Sequence, residues 1–164
     1  MYNQIVYGSL LNPQELEKHD ISMDRVKFVK VKNFKRVFNQ EPSWRKVESN
    51  NRAVMNIQDD SSSWFNALLI VGITQKHVEE LDHRERGYDR IDVPNGDVIL
   101  YDSGKVVKDC FVYKGKIDKQ NAQILPNLDY FEICKSGANS YFEDFFNDYM
   151  ATTYKNGIEG LTLI

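Results

Sequence analysis

The sequence predicts an α+β fold, and three features of residue order carry that prediction. Strand-like apolar runs dominate the chain up to Tyr113, turns with hairpin chemistry separate the later runs, and two helical stretches come last. A repeating βαβ unit does not fit this order.

Tyr2 to Tyr7 reads as the first strand. Asn12 suits an N-cap and Pro13 a first helical position, which starts a short helix from Pro13 to His19. Partial alternation from Val26 through Phe34 to the Val37-Phe38 pair predicts one long or broken strand. Ala53 to Ile57 and Trp64 to Ile73 are further strands, with Asp59-Asp60-Ser61-Ser62-Ser63 as a solvated turn between them. The run Ala67-Leu68-Leu69-Ile70-Val71 is apolar throughout, as a central strand buried on both faces requires. Thr74 then caps a helix on which Val78 and Leu81 share a face and which Gly87 closes, so Glu85 falls in its last turn. Strands follow at Tyr88 to Val93, Val98 to Tyr101 and Lys105 to Tyr113, joined at Pro94-Asn95-Gly96-Asp97 and Asp102-Ser103-Gly104. Helices from about Asn127 to Lys135 and from about Ser140 to Tyr154 finish the chain, with Ser136-Gly137-Ala138 as the break.

A length of 164 residues suits one domain, 1–164, which buries roughly two thirds of its unfolded surface without disulfides or metal. The net charge of −3 is mild and the basic residues are interleaved with acidic ones, so a nucleic-acid partner is not expected. No apolar run reaches membrane-spanning length and no signal region precedes the first strand, which predicts no membrane and a cytoplasmic protein, monomer or homodimer. Cys110 and Cys134 lie in strand-like and helix-like runs and read as small buried hydrophobes. His19, His77 and His83 are too scattered for a metal motif, and the phosphate-loop and dinucleotide fingerprints are absent, so no metal or nucleotide cofactor is predicted. The stretch from Glu41 to Asn51 reads as a loop in which Trp44, Arg45 and Lys46 either line the entry of an acidic substrate or lie on open surface.

Two segments carry chemistry. Tyr7-Gly8-Ser9-Leu10 follows the Ile5-Val6 run and precedes a helix start, so its amides can converge on an anion. Ser9 has neither the second glycine of a nucleophile elbow nor a histidine placed to activate it, and is assigned to binding rather than attack. In Leu81-Asp82-His83-Arg84-Glu85-Arg86-Gly87-Tyr88, Glu85 sits at the carbonyl end of a helix. That position disfavours its charge, burial would disfavour it further, and a carboxyl with a raised pKa suits a general base. A plain turn and a solvated glutamate flanked by Arg84 and Arg86 would carry the same residues.

Together these segments resemble the gamma-glutamylcyclotransferase-like family, which shares a strand-end Tyr-Gly-Ser turn and a Leu-Asp-x-x-Glu segment. The similarity extends over Asn33-Phe34-Lys35-Arg36-Val37-Phe38-Asn39 and Arg52-Ala53-Val54-Met55-Asn56-Ile57. Tyr130 to Ala138 and Phe145 to Tyr154 resemble the C-terminal helices of the bacterial branch. The resemblance implies a small mixed β-barrel with helices packed outside and a cavity at one mouth. It further implies cyclisation of a small-molecule gamma-glutamyl amide to 5-oxoproline without a cofactor, Glu85 acting as general acid and base. Tyr7, Gly8, Ser9, Leu10 and Tyr88 would bind the substrate, with Tyr113 and Arg90 as further candidates and a solvent-facing Arg90 as the competing reading. Arg86 separates Glu85 from Gly87 where many members have glycine directly, which suits the bacterial branch. Val6 stands where the glutathione-specific branch has glycine, which ranks glutathione lower. Two rival functions use the same frame: a non-catalytic small-molecule binding protein, and a lyase removing a gamma-glutamyl protecting group in a biosynthetic pathway.

Overall fold

The structure is a computed structural model and describes residues 1–43 and 48–164. Its frame is a long antiparallel hairpin, β2 (Val26–Gln40) with β3 (Asn51–Ile73). The pairing shifts between Lys32 opposite Trp64 and Phe34 opposite Asp59, leaving Asp60 to Ser63 as an excess on β3. The predicted solvated turn is thus a bulge inside one continuous strand, set against Asn33 at φ 70°. The two halves of the hairpin recruit different partners. β1 (Tyr2–Val6) pairs with the late half of β3, while the early half meets β7 (Leu125–Pro126). On β2, β5 (Val98–Leu100) pairs with the first half and β8 (Thr153–Gly157) with the second.

The sheet has nine strands in mixed directions, and its main path runs β4-β6-β1-β3-β2-β8-β9, with β4 (Tyr88–Asp92), β6 (Cys110–Gly115) and β9 (Gly160–Leu163). It is open. β4 and β9 end the path without pairing to each other, so the α+β class holds but the predicted closed barrel is corrected to an open mixed sheet. Phe65 and Ala67 to Ile70 are fully buried, as a doubly covered central strand demands.

Three further expectations change at the end of the chain. α3 (Leu128–Asn139) runs through Ser136-Gly137-Ala138 without a break. Gly137 is there for close approach, since a Cβ on it would lie 2.5 Å from the Asn12 backbone. α4 (Glu143–Ala151) stops short of Tyr154, and Thr153 onward forms the β8–β9 hairpin instead. The strand predicted from Lys105 begins only at Cys110, after Asp109 at φ 57°. No helix among the described residues is long and apolar enough to cross a membrane.

Arg36 locks this core. Its guanidinium is fully buried and donates to Thr153 Oγ1, the Asn66 carbonyl, Asn66 Oδ1, the Tyr149 carbonyl and Thr152 Oγ1 at 2.5–3.3 Å, joining β2, β3, α4 and β8. It stacks 4.4 Å from the Tyr149 ring centroid. No carboxylate pairs with it among the described residues, and burial lowers its pKa to about 10.

Candidate active site

The site lies where β1 ends. β1 runs parallel to β6, with Ile5 opposite Val112, and β4 runs antiparallel to β6, with Arg90 opposite Tyr113 and Tyr88 opposite Gly115. The end of β1, the end of β6 and the start of β4 therefore meet at one edge of the sheet. A cavity of about 500 Å³ opens there, and its walls include Tyr7, Gly8, Ser9, Leu10, Glu85, Tyr88 and Tyr113.

Gly8 leads into a single 3-10 turn, Ser9–Leu11, whose first internal bond is Leu11 N–H to the Gly8 carbonyl at 3.0 Å. The amides of Ser9 and Leu10 precede that bond and meet no acceptor among the described residues, so they are the orphan donors of the turn. Gly8 has a negative φ of −111°, so space rather than left-handed geometry explains it: a Cβ would lie 2.5 Å from the Tyr130 hydroxyl. α3 clamps the whole turn. Tyr130 abuts Gly8, Gly137 abuts Asn12, and Tyr141 of the α3–α4 connection donates to the Leu11 carbonyl at 2.6 Å.

Glu85 is placed by α2 (Gln75–Arg84), which Thr74 caps by accepting from the His77 amide. The glutamate is the residue just after the last helical turn, and its amide still bonds to the Leu81 carbonyl at 2.9 Å. Gly87 follows under the buried Gln40, whose amide donates to the Gly87 carbonyl at 2.7 Å, and a Cβ there would collide with Ser43 Oγ. The Glu85 carboxylate is half-buried and has no ion-pair or hydrogen-bond partner among the described residues. Burial raises its pKa above the ordinary glutamate value, and the neighbouring Arg84 charge opposes that rise in part. Burial also raises the pKa values of Tyr7, Tyr88 and Tyr113, and the Glu85 charge adds to each, which sets all three phenols near the carboxylate.

Arg90 faces the neighbouring dent rather than the cavity. Its Nε lies 3.0 Å from Asp82 Oδ1, the same oxygen that accepts from the Tyr113 hydroxyl at 2.7 Å. Asp82, whose partner in the Leu-Asp-x-x-Glu segment is Glu85, thus ties α2 to β4 and β6. Trp44, Arg45 and Lys46 lie outside the described residues, while the adjoining Pro42 and Ser43 line the cavity. Cys110 and Cys134 are buried and are not among its wall residues, and burial raises the Cys110 thiol to about 11.

Several wall residues carry no sequence motif. Tyr130 and Met55 reach the cavity from α3 and β3, and His19 reaches it from the end of α1 (Pro13–Lys18). Arg84 Nη2 lies 2.7 Å from His19 Nδ1, and burial together with that guanidinium lowers the His19 pKa, keeping the ring neutral. Gln4 gave the one usable signal: a polar residue, 3% exposed, inside an apolar strand and on the cavity wall. No group of three or more metal-ligating side chains comes together among the described residues.

No protein-family model matches the chain, and no curated protein matches it in sequence. Solved structures do. A gamma-glutamyl cyclotransferase superimposes with a TM-score of 0.67 at 17% identity, over 92% of this chain and 87% of that one. YkqA from Bacillus subtilis gives 0.68 at 19% identity over 89% of this chain, which spans about half (51%) of YkqA. A glutathione-specific gamma-glutamyl cyclotransferase from yeast gives 0.60 at 15% identity, over 90% and 96% of the two chains. These neighbours favour no single branch, and at such identities they speak for architecture alone. The chain has the gamma-glutamyl cyclotransferase-like fold.

Proposed function

We propose that this protein is a cyclotransferase acting on gamma-glutamyl amides, and that the Glu85 carboxylate carries the reaction. The substrate's α-amine attacks its own γ-carbonyl carbon, the C–N bond to the leaving amine breaks, and 5-oxoproline is released. Nucleophile and electrophile already share one molecule, so the protein has only to fold it into a near-attack shape and move a proton. An α-ammonium cannot attack. Glu85 takes its proton and returns it to the departing nitrogen, a shuttle suited to a carboxyl whose burial raises its pKa toward neutrality.

The observation that carries this reading is a half-buried, unpartnered carboxylate in the same cavity as the orphan amides of Ser9 and Leu10. A glutamyl head group has an anionic carboxylate for such amides and an ammonium for such a carboxylate. Tyr7, Tyr88 and Tyr113 line the space around it, and Arg90 acts from behind through Asp82. The fold shared with gamma-glutamyl cyclotransferases supports the same chemistry.

The test is 5-oxoproline release from a panel of gamma-glutamyl amino acids, glutathione and a gamma-glutamylamine. At least one compound should turn over, and Glu85→Gln should lower its rate by about a hundredfold or more, the usual size of a general-base contribution. Full activity in that variant would remove Glu85 from the mechanism. Binding of these compounds without turnover by the native chain would make it a binding protein on the same fold.

A further inference from the structure

A phenol has one proton to donate, and three of the four cavity tyrosines have already committed theirs. Tyr7 Oη donates to the Tyr113 carbonyl at 2.5 Å, Tyr88 Oη to the Met55 carbonyl at 2.6 Å, and Tyr113 Oη to Asp82 at 2.7 Å. Tyr130, the remaining tyrosine on the wall, differs: its bond to the Met55 backbone favours the ionised phenol, as an N–H donor to the phenol oxygen does. Burial holds all four phenols well above their ordinary pKa, so they stay neutral and keep those protons. Toward a ligand the oxygens of Tyr7, Tyr88 and Tyr113 therefore present lone pairs rather than donors.

This divides the cavity by hydrogen-bonding character. The amides of Ser9 and Leu10 supply donors, whereas Tyr7 Oη, Tyr88 Oη and the Glu85 carboxylate supply acceptors. These acceptors line one cavity, and the Glu85 charge acts on both Tyr7 and Tyr88. A wall of acceptors repels a carbonyl or carboxylate oxygen and satisfies a cation with several N–H bonds. An ammonium has three.

We propose that Tyr7 Oη and Tyr88 Oη, together with Glu85, form an ammonium subsite that makes a free α-amine a condition of binding as well as of attack. This rests on the gamma-glutamyl reading above and assigns the orientation within it: the α-ammonium faces the phenols, which directs an anionic oxygen of the substrate to the Ser9–Leu10 amides. Glu85 is the base, and Tyr7 and Tyr88 hold the nitrogen in its reach before and after the proton leaves. Ligands of the same length without the amine bind more weakly because they leave the acceptor wall desolvated and unpaired.

The test compares γ-L-glutamylglycine with glutarylglycine, the same molecule with hydrogen in place of the α-amine. Both are titrated calorimetrically into the full chain carrying Glu85→Gln, so that binding is read without turnover, and into the same chain with Tyr88→Phe added. Tyr130 keeps its own hydrogen bond to the Met55 backbone in that variant, so the fold should survive. Tyr88→Phe should weaken γ-L-glutamylglycine by about tenfold, the size of a hydrogen bond to a charged group, and leave glutarylglycine essentially unchanged. Equal weakening of both ligands, or of neither, overturns the subsite while leaving the cyclotransferase reading intact. Tyr7→Phe serves as a second variant, with the same criterion, if Tyr88→Phe does not fold. Failure of the native chain to bind either ligand, with no 5-oxoproline from any gamma-glutamyl compound, overturns both proposals.

Discussion

Two charged side chains on this sheet are removed from bulk water in opposite ways. Arg36 is fully buried and all three nitrogens of its guanidinium meet a carbonyl, an amide oxygen or a hydroxyl. Glu85 is half-buried and has no partner within hydrogen-bond reach among the described residues. A satisfied charge can be buried for structure, because the protein supplies what water supplied. An unsatisfied one is held at a cost, and its pKa moves toward the value at which it exchanges protons. One is a fastener; the other, in the proposed reaction, is a reagent.

The comparison is broken most severely by swapping their expected phenotypes. Arg36→Met keeps much of the buried stem but orphans acceptors on Asn66, Tyr149, Thr152 and Thr153, so it should cost about 3 kcal/mol or more of stability. In a chain of this size that is a fall of about 6–12 °C in melting temperature, while turnover per folded molecule persists. Glu85→Gln should do the reverse. A raised folded-state pKa favours the fold below the unfolded pKa and loses that benefit as pH rises through the folded value, so ionised Glu85 weakens the fold at neutral pH. The glutamine variant should therefore melt no lower than the native chain at pH 7, a difference that thermal scans at pH 4 and pH 7 would show to vanish at the lower pH.

A smaller effect sharpens the placement of the turn. Gly8→Ala forces a methyl against the Tyr130 hydroxyl and should destabilise by about 1–3 kcal/mol with reduced activity. Adding Tyr130→Phe removes the opposing oxygen and should recover part of both losses, measured by denaturation and 5-oxoproline release. The smallest effect belongs to the thiols. Replacing Cys110 and Cys134 together with Ala should cost some packing but leave turnover per folded molecule unchanged, since both thiols are buried off the cavity wall and burial raises that of Cys110.

How much of this was legible in the residues depended on whether the cause was local. Thr74 as a cap, Asn12-Pro13 as a helix start and the doubly buried Ala67 to Ile70 follow from short-range chemistry, and the structure has them. The Tyr7-Gly8-Ser9-Leu10 turn and Glu85 lie 75 residues or more apart (85 − 10 = 75) and share one cavity, which the resemblance indicated and spacing could not. Gly137 read as a breaker because glycine is a poor helix former, yet its purpose is contact with Asn12 across the fold. Asp59 to Ser63 has turn composition, but cross-strand pairing with β2 on either side absorbs it as a bulge. Barrel closure depended on edges meeting in space, and they do not. Tyr130 and His19 entered the site through tertiary packing alone, without a spacing or motif to announce them.

The central claim is that an unpartnered, partly buried Glu85 is the base. The pH dependence of kcat/KM for 5-oxoproline release tests it most directly, with the native chain and Glu85→Gln assayed side by side on the best substrate of the panel. The native acid limb should rise through an apparent pKa clearly above the ordinary glutamate value of about 4.3, because burial favours the neutral acid. That limb should be missing from the residual activity of the glutamine variant. An inflection at or below the ordinary value, or one that survives the substitution unchanged, would contradict the account.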